Sequence, residues 1–70
     1  MTNKTRLEIA GKLKEIRLQK NLKQTEVAQK AGLNANYYTK VERGEAKPSV
    51  ETLEKILKAL QVKSSDVLPF

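Results

Sequence analysis

The side chains in this 70-residue sequence that could do chemistry are amides, ammonium groups and guanidinium groups rather than nucleophiles or metal ligands. The sequence has no histidine and no cysteine, which removes the commonest general base, the commonest metal ligand and any disulfide. Eight carboxylates remain, but they form no cluster at metal-ligand spacing. We therefore predict a protein that is not an enzyme and that has no metal or other cofactor.

A short segment after Gly32 carries small polar side chains where a purely structural helix would carry core-forming ones. It reads "NANYYTKVERG", and Asn36 and Lys40 lie one helical turn apart within it. Asparagine can bond N6 and N7 of adenine together, and lysine can reach guanine or a phosphate. The alternative for both residues is an ordinary solvated helix surface.

The overall charge points to the same kind of partner. The net charge is +6 and the isoelectric point is about 9.8, which favours DNA, RNA or an acidic membrane surface. The alternative is that the charge serves solubility alone. No apolar run approaches the roughly 18 residues of a membrane span, and the polar start "MTNKTRLEIAGK" has no signal-peptide core. We therefore expect a cytoplasmic protein.

The elements that would position these residues all have helical periodicity. We predict an all-α single domain over residues 1–70, with helices at about 5–20, 24–30, 34–43 and 49–60, a last turn at about 64–68, and no strand. The inward-facing positions share a spacing of three and four residues, and they are Ile9, Leu13, Ile16, Val27, Ala28, Ala31, Tyr38, Val41, Val50, Leu53, Ile56, Leu57 and Leu60.

The second and third predicted helices are short and meet at Gly32, where a tight turn needs a positive φ. Two helices joined in this way make a helix-turn-helix. The major groove of DNA is about 12 Å wide and admits one helix. In this motif the first helix crosses the phosphates, and the start of the second helix reaches base edges.

Four segments give the chain its resemblance to the XRE, or Cro/cI-like, family of phage-repressor helix-turn-helix domains. They are "LKEIR" (13–17), "LKQTEVAQKAGL" (22–33), "YTKVERGEAKPS" (38–49) and "LEKILKAL" (53–60). The resemblance covers roughly residues 7–68. It implies a compact, lambda-repressor-like bundle of four or five helices and a sequence-specific DNA-binding transcriptional regulator that represses from a palindromic operator.

The resemblance also implies roles for particular residues. We expect base readout from Ala35, Asn36 and Lys40, and an ion pair between Arg17 and Glu42 that joins the first and third helices. In the family, the glutamine that matches Gln24 contacts phosphate and often braces the recognition helix. The full set of expected phosphate contacts is Lys23, Gln24, Asn34, Tyr37, Arg43 and Lys47.

Three positions depart from the family pattern. Lys23 stands where serine or threonine often precedes the glutamine, so the second helix loses a side-chain cap, and we expect Lys23 to meet phosphate instead. Tyr38 replaces an isoleucine, and its phenol needs a partner or an exit to solvent. Asn21 replaces a glycine, which its tolerance of the left-handed conformation explains.

One such helix reads only a few base pairs, so a homodimer on a palindrome is expected, with the terminal apolar residues at its interface. Those residues are Val62, Val67, Leu68 and Phe70. The alternative is that they simply close the core. The rival hypothesis for function is an antitoxin or protein-interaction module that shares the fold, and an enzyme is a distant third.

Overall fold

The computed structural model describes residues 2–67, which form four α-helices and one 3₁₀ turn. The helices are α1 Asn3–Gln19, α2 Gln24–Ala31, α3 Ala35–Glu42 and α4 Val50–Leu60, and the 3₁₀ turn is Ser64–Asp66. No strand occurs in this part of the chain. The predicted all-α helix-turn-helix bundle is confirmed.

Helix α1 begins at Asn3, two residues earlier than the periodicity predicted. Thr2 caps it, because its hydroxyl oxygen accepts a hydrogen bond from the backbone N–H of Thr5 at 3.1 Å. The first turn of α1 is polar, so no apolar position marks it in the sequence. The cap therefore starts the helix two residues earlier than hydrophobic spacing alone predicted.

Left-handed residues end the helices. Gly32 has φ +70° after α2 and Asn21 has φ +57° after α1, as the turn chemistry of those two residues predicted. Gln61, with φ +58°, ends α4 in the same conformation. Because it is neither glycine nor asparagine, its residue type did not predict this. At Gly32 the turn is secured by the N–H of Leu33, which donates to the carbonyl of Ala28 at 2.8 Å.

The core lies between the helices, with α2 packed on both α3 and α4, and α1 packed on α3. Its buried members are Ile9, Leu13, Ile16, Val27, Ala28, Ala31, Tyr38, Val41, Leu53, Ile56, Leu57, Leu60 and Val67. All but one of the residues predicted to face inward are among them. Val67 is only 5% exposed, so this residue closes the core, which was one of its two alternatives.

The prediction for Val50 was wrong, because this side chain is 74% exposed. Val50 is the first residue of α4, immediately after the cap at Ser49. The apolar spacing of α4 continues to its first residue, but the core does not extend that far. No helix within residues 2–67 is both long enough and apolar enough to cross a bilayer.

Candidate nucleic-acid interface

Helix α3 has one buried side and one exposed side. Tyr38, Val41 and Glu42 are buried, whereas Ala35, Asn36 and Lys40 are all exposed. The three residues predicted to read bases therefore lie on the open side of the helix, at its N-terminal end and one turn further on. The structure places them together.

Asn34 caps the start of α3. Its side-chain Oδ1 accepts from the backbone N–H of Asn36 at 2.8 Å and of Tyr37 at 3.2 Å. The side-chain oxygen of Asn34 is thus occupied within the chain, and only its NH₂ group is left for a ligand. The cap also fixes the point at which the helix backbone begins, directly beside the exposed Asn36 side chain.

The Arg17 guanidinium and the Glu42 carboxylate form a bidentate ion pair between α1 and α3. Arg17 Nε donates to Oε2 and Nη2 to Oε1, both at 2.8 Å, and Nη1 donates to the carbonyl of Leu22 at 2.9 Å. The two residues are 8% and 6% exposed. This is the pairing that the family resemblance implied, whereas the additional bond to Leu22 was not predictable from the sequence.

The pair holds both groups in their charged forms. The hydrogen bond to Glu42 raises the pKa of Arg17 further above its ordinary value. Burial by itself would raise the pKa of Glu42, but the Arg17 guanidinium, together with the neighbouring Tyr38 and Gln24, outweighs burial and lowers that pKa. Removing either partner would leave a buried charge uncompensated.

Gln24, the first residue of α2, links that ion pair to the middle of α3. Its Nε2 donates to Glu42 Oε1 at 3.3 Å, and its Oε1 accepts from the hydroxyl of Thr39 at 3.1 Å. Thr39 is half-buried rather than exposed, and its hydroxyl is turned toward α2, where Gln24 offers an acceptor.

Tyr38 is fully buried, and its hydroxyl makes no hydrogen bond of good geometry within the described residues. Burial raises the pKa of this phenol above its ordinary value, and the neighbouring Glu42 carboxylate raises it further. The phenol therefore stays neutral, and its ring fills the core position of an aliphatic residue.

Exposed cations stand at both ends of the helix pair. Lys23 precedes α2, while Arg43 and Lys47 lie in the loop between α3 and α4. Together with Lys40, they make no ion pair with any described residue, because the exposed pairs are Lys12–Glu15 and Lys55–Glu51. Their charges are thus available to an external anion. Tyr37 is half-buried and packs against the core.

Lys23 provides no side-chain cap for α2, as its residue type predicted. The Glu26 carboxylate caps the helix instead, by accepting from the backbone N–H of Lys23 at 3.0 Å. A glutamate three residues after the cap position is a recognised start signal, so this contact was available in the sequence and was missed. Because this cap uses the backbone N–H of Lys23, its ammonium group takes no part in the cap and pairs with no described carboxylate.

Residues 13–67 match the model of the family described as helix-turn-helix. The control protein C.BamHI of Bacillus amyloliquefaciens is 41% identical over 71 residues, an alignment that covers all of this chain and 88% of that protein. The immunity repressor protein of Bacillus phage phi105 is 32% identical over 62 residues, covering 89% of this chain and 43% of the repressor.

Solved structures give the same grouping. The restriction-modification controller protein C.AhdI from Aeromonas hydrophila superposes with a TM-score of 0.86 at 29% identity, covering 89% of this chain and 94% of that one. The controller protein C.Esp1396I, crystallised as a tetramer with its natural 35 base-pair operator, gives 0.80 at 30% identity over 84% of this chain and 78% of that one.

Proposed function

This chain belongs to the XRE-type helix-turn-helix family of DNA-binding transcriptional regulators, and we propose that it represses transcription by binding a palindromic operator as a homodimer. The observation that carries the proposal is the exposed, polar face of α3, flanked at both ends of the helix pair by cations that pair with no described residue. The similarity to controller proteins and phage repressors supports the same activity. Its site of action is the cytoplasm, where a bacterial or phage operator lies.

Base readout is assigned to the N-terminal half of α3. The Asn36 amide is exposed and suits an adenine, and a bidentate contact there is worth about 1–3 kcal/mol of discrimination. Lys40 suits a guanine or a phosphate one turn further along. Ala35 offers a methyl group to a thymine and leaves room for the DNA to approach.

Phosphate contacts are assigned to the two flanks of α3. Lys23 and Gln24 stand at the start of α2, where the helix dipole also favours an anion, and Gln24 keeps one N–H beyond its bond to Glu42. Arg43 and Lys47 serve the other flank, on the loop that follows α3. Tyr37, through its hydroxyl, and Asn34, through its NH₂ group, add neutral donors.

Two-fold binding is supported by the size of the molecule. The described residues span 27 × 21 × 20 Å, whereas half-sites one helical turn apart are separated by about 34 Å. A single copy can therefore occupy one half-site. We assign the interface to Val62, which is half-buried, with Leu68 and Phe70, which lie outside the described residues.

Selection from randomised duplex DNA at two salt concentrations tests the proposal. We expect a palindromic site with half-sites about one turn apart, and an affinity that falls with salt at a log–log slope of roughly −0.9 per phosphate neutralised. Salt-sensitive binding without any enriched sequence would contradict specific readout and would direct the search to a protein partner.

Two substitutions separate readout from phosphate binding. Asn36→Ala should relax selection at one base position in each half-site, at a cost of about 1–3 kcal/mol for the preferred base. Arg43→Ala should weaken all sequences alike and reduce the salt slope by about one. Lys58→Ala, an exposed lysine on α4, is the matched control and should change neither quantity.

A further inference from the structure

We propose that Thr39 is a positioning residue for operator recognition, which holds the base-reading half of α3 against α2 through Gln24. This inference rests on the proposed function and goes beyond it, because Thr39 needs no contact with DNA. Thr39 Oγ1 donates to Gln24 Oε1 at 3.1 Å, and Gln24 Nε2 donates onward to Glu42 Oε1 at 3.3 Å. Arg17 completes the chain from α1.

The Arg17–Glu42 ion pair sets the donor and the acceptor in each hydrogen bond of this network. Arg17 can only donate and an ionised Glu42 can only accept. Gln24 must therefore turn its NH₂ group toward Glu42, which leaves its carbonyl oxygen facing Thr39. Thr39 therefore donates its single hydroxyl hydrogen to Gln24, and that hydrogen is not available for a phosphate or a base edge.

The location of Thr39 makes the bond relevant to readout. The Arg17–Glu42 pair anchors the last residue of α3, whereas Thr39 lies near the middle of the helix, three residues after Asn36. Residues three and four apart are neighbours on a helix surface, so Asn36 and Ala35 adjoin Thr39 directly. A bidentate base contact requires placement within about 0.5 Å. Among the side-chain hydrogen bonds that join α3 to another helix within the described residues, the one from Thr39 lies nearest to those side chains in the sequence.

The hydroxyl of Thr39 bonds to another helix although a hydrogen bond within its own helix is also possible. A threonine hydroxyl in a helix can bond the carbonyl three or four residues earlier. Here the hydroxyl instead crosses to α2, where the acceptor oxygen is oriented by a buried ion pair. The bond thus joins two helices rather than stabilising one.

The test compares Thr39→Val, which keeps the shape and removes the hydroxyl, with Thr39→Ser, which keeps the donor. We measure the affinity of each for the selected operator and for a scrambled duplex, the salt slope, and the free energy of unfolding in urea. Thr39→Val should lower the operator-to-scrambled ratio about threefold to tenfold, the size of one hydrogen bond, with the salt slope unchanged. Thr39→Ser should restore the ratio.

Thr5→Val is the matched control, because it removes a threonine hydroxyl that accepts from Thr2 at 2.9 Å, far along the sequence from α3. It should leave the ratio unchanged. An unchanged ratio in Thr39→Val, or an equal fall in Thr39→Ser, would overturn the role of Thr39 while leaving the regulator intact. A wild-type protein with no preference for any duplex would overturn the proposed function and this role together.

Discussion

At the scale of single residues, Glu42 is the point where three helices meet. It lies in α3, accepts two hydrogen bonds from Arg17 of α1 and one from Gln24 of α2, and is almost fully buried. A buried carboxylate is tolerated only when its partners satisfy it. The same contacts that hold α3 in place thus make the fold depend on one ionised group.

Glu42→Gln should lower the free energy of unfolding by about 3–5 kcal/mol near neutral pH, since it leaves the Arg17 charge buried and unpaired. The folded-state pKa of Glu42 lies below its ordinary value of 4.5, so its contribution is complete above pH 4.5 and is lost as the pH falls through the folded-state pKa. Urea unfolding at several pH values should therefore show the difference from wild type shrinking in acid.

The control for that substitution is Glu45→Gln, which changes an exposed glutamate that makes no ion pair with any described residue. It should alter stability by less than about 0.5 kcal/mol. A Glu42→Gln protein as stable as this control would contradict the role assigned to the ion pair.

Tyr38→Phe should not lower stability near neutral pH, because the hydroxyl it removes is buried and makes no hydrogen bond of good geometry with any described residue. The raised pKa of Tyr38 makes the wild type sensitive to alkali. The contribution of the neutral Tyr38 phenol to the free energy of unfolding is complete below the ordinary tyrosine pKa of 10.0. It is lost as the pH rises above that value, at about 1.4 kcal/mol per pH unit.

Denaturant titrations between pH 9 and pH 11 measure this effect. Tyr38→Phe should resist alkali better than wild type, whereas Tyr37→Phe, which alters the neighbouring half-buried ring, supplies the comparison for that residue type. An alkaline decline that is identical in wild type and Tyr38→Phe would show that the buried phenol is not its source.

Among the secondary-structure elements, the loop after α3 carries Arg43 and Lys47 beside the helix proposed to read the bases. Gly44 makes the turn with φ +76°, and the side chain of Leu7 packs directly against its Cα, where a Cβ would overlap it. This contact ties the loop to α1. The left-handed backbone favours glycine at this position, and an added Cβ would also require the end of the Leu7 side chain to move.

Gly44→Ala should therefore destabilise the fold by about 1–2 kcal/mol from the backbone alone, with displacement of Leu7 in addition. Gly11→Ala should do the opposite. Gly11 lies inside α1 with open space where a Cβ would be added, so alanine should stabilise the helix by about 0.5–1 kcal/mol. The melting temperatures of the two variants test these predictions. A shift in the same direction for both would contradict this account of the loop.

For the molecule as a unit, one copy is too short to cover two half-sites, so the proposed palindromic operator requires association. Val62 is half-buried beside the C-terminal end of α4, whereas Val50 is exposed at the opposite end of the same helix. These two valines allow the location of the interface to be tested with matched substitutions.

Sedimentation at tens of micromolar, with and without operator, should give a dimer for the wild type. Val62→Asp should shift it toward monomer and weaken operator binding, because the interface would have to bury a charge. Val50→Asp should leave association unchanged. The reverse pattern would place the interface at the start of α4, and a monomeric wild type under both conditions would remove the dimer from the proposal.

The helices and the turn between α2 and α3 were predictable from local sequence patterns. Helical spacing is a local property, and glycine or asparagine at a left-handed position carries its own conformational signature, so Gly32 and Asn21 were predictable. The family motif added Arg17 and Glu42, which are 25 residues apart and which no local pattern connects.

Which residues at the helix ends are buried could be learned only from the way the helices pack against one another. Val50 and Val67 are both apolar and both near helix ends, yet one is exposed and the other is in the core, because burial depends on which neighbouring element reaches the residue. The link from Thr39 to Gln24 is of the same kind. It requires α2 and α3 to be packed at a particular distance, and that distance is a property of the assembled core rather than of either helix.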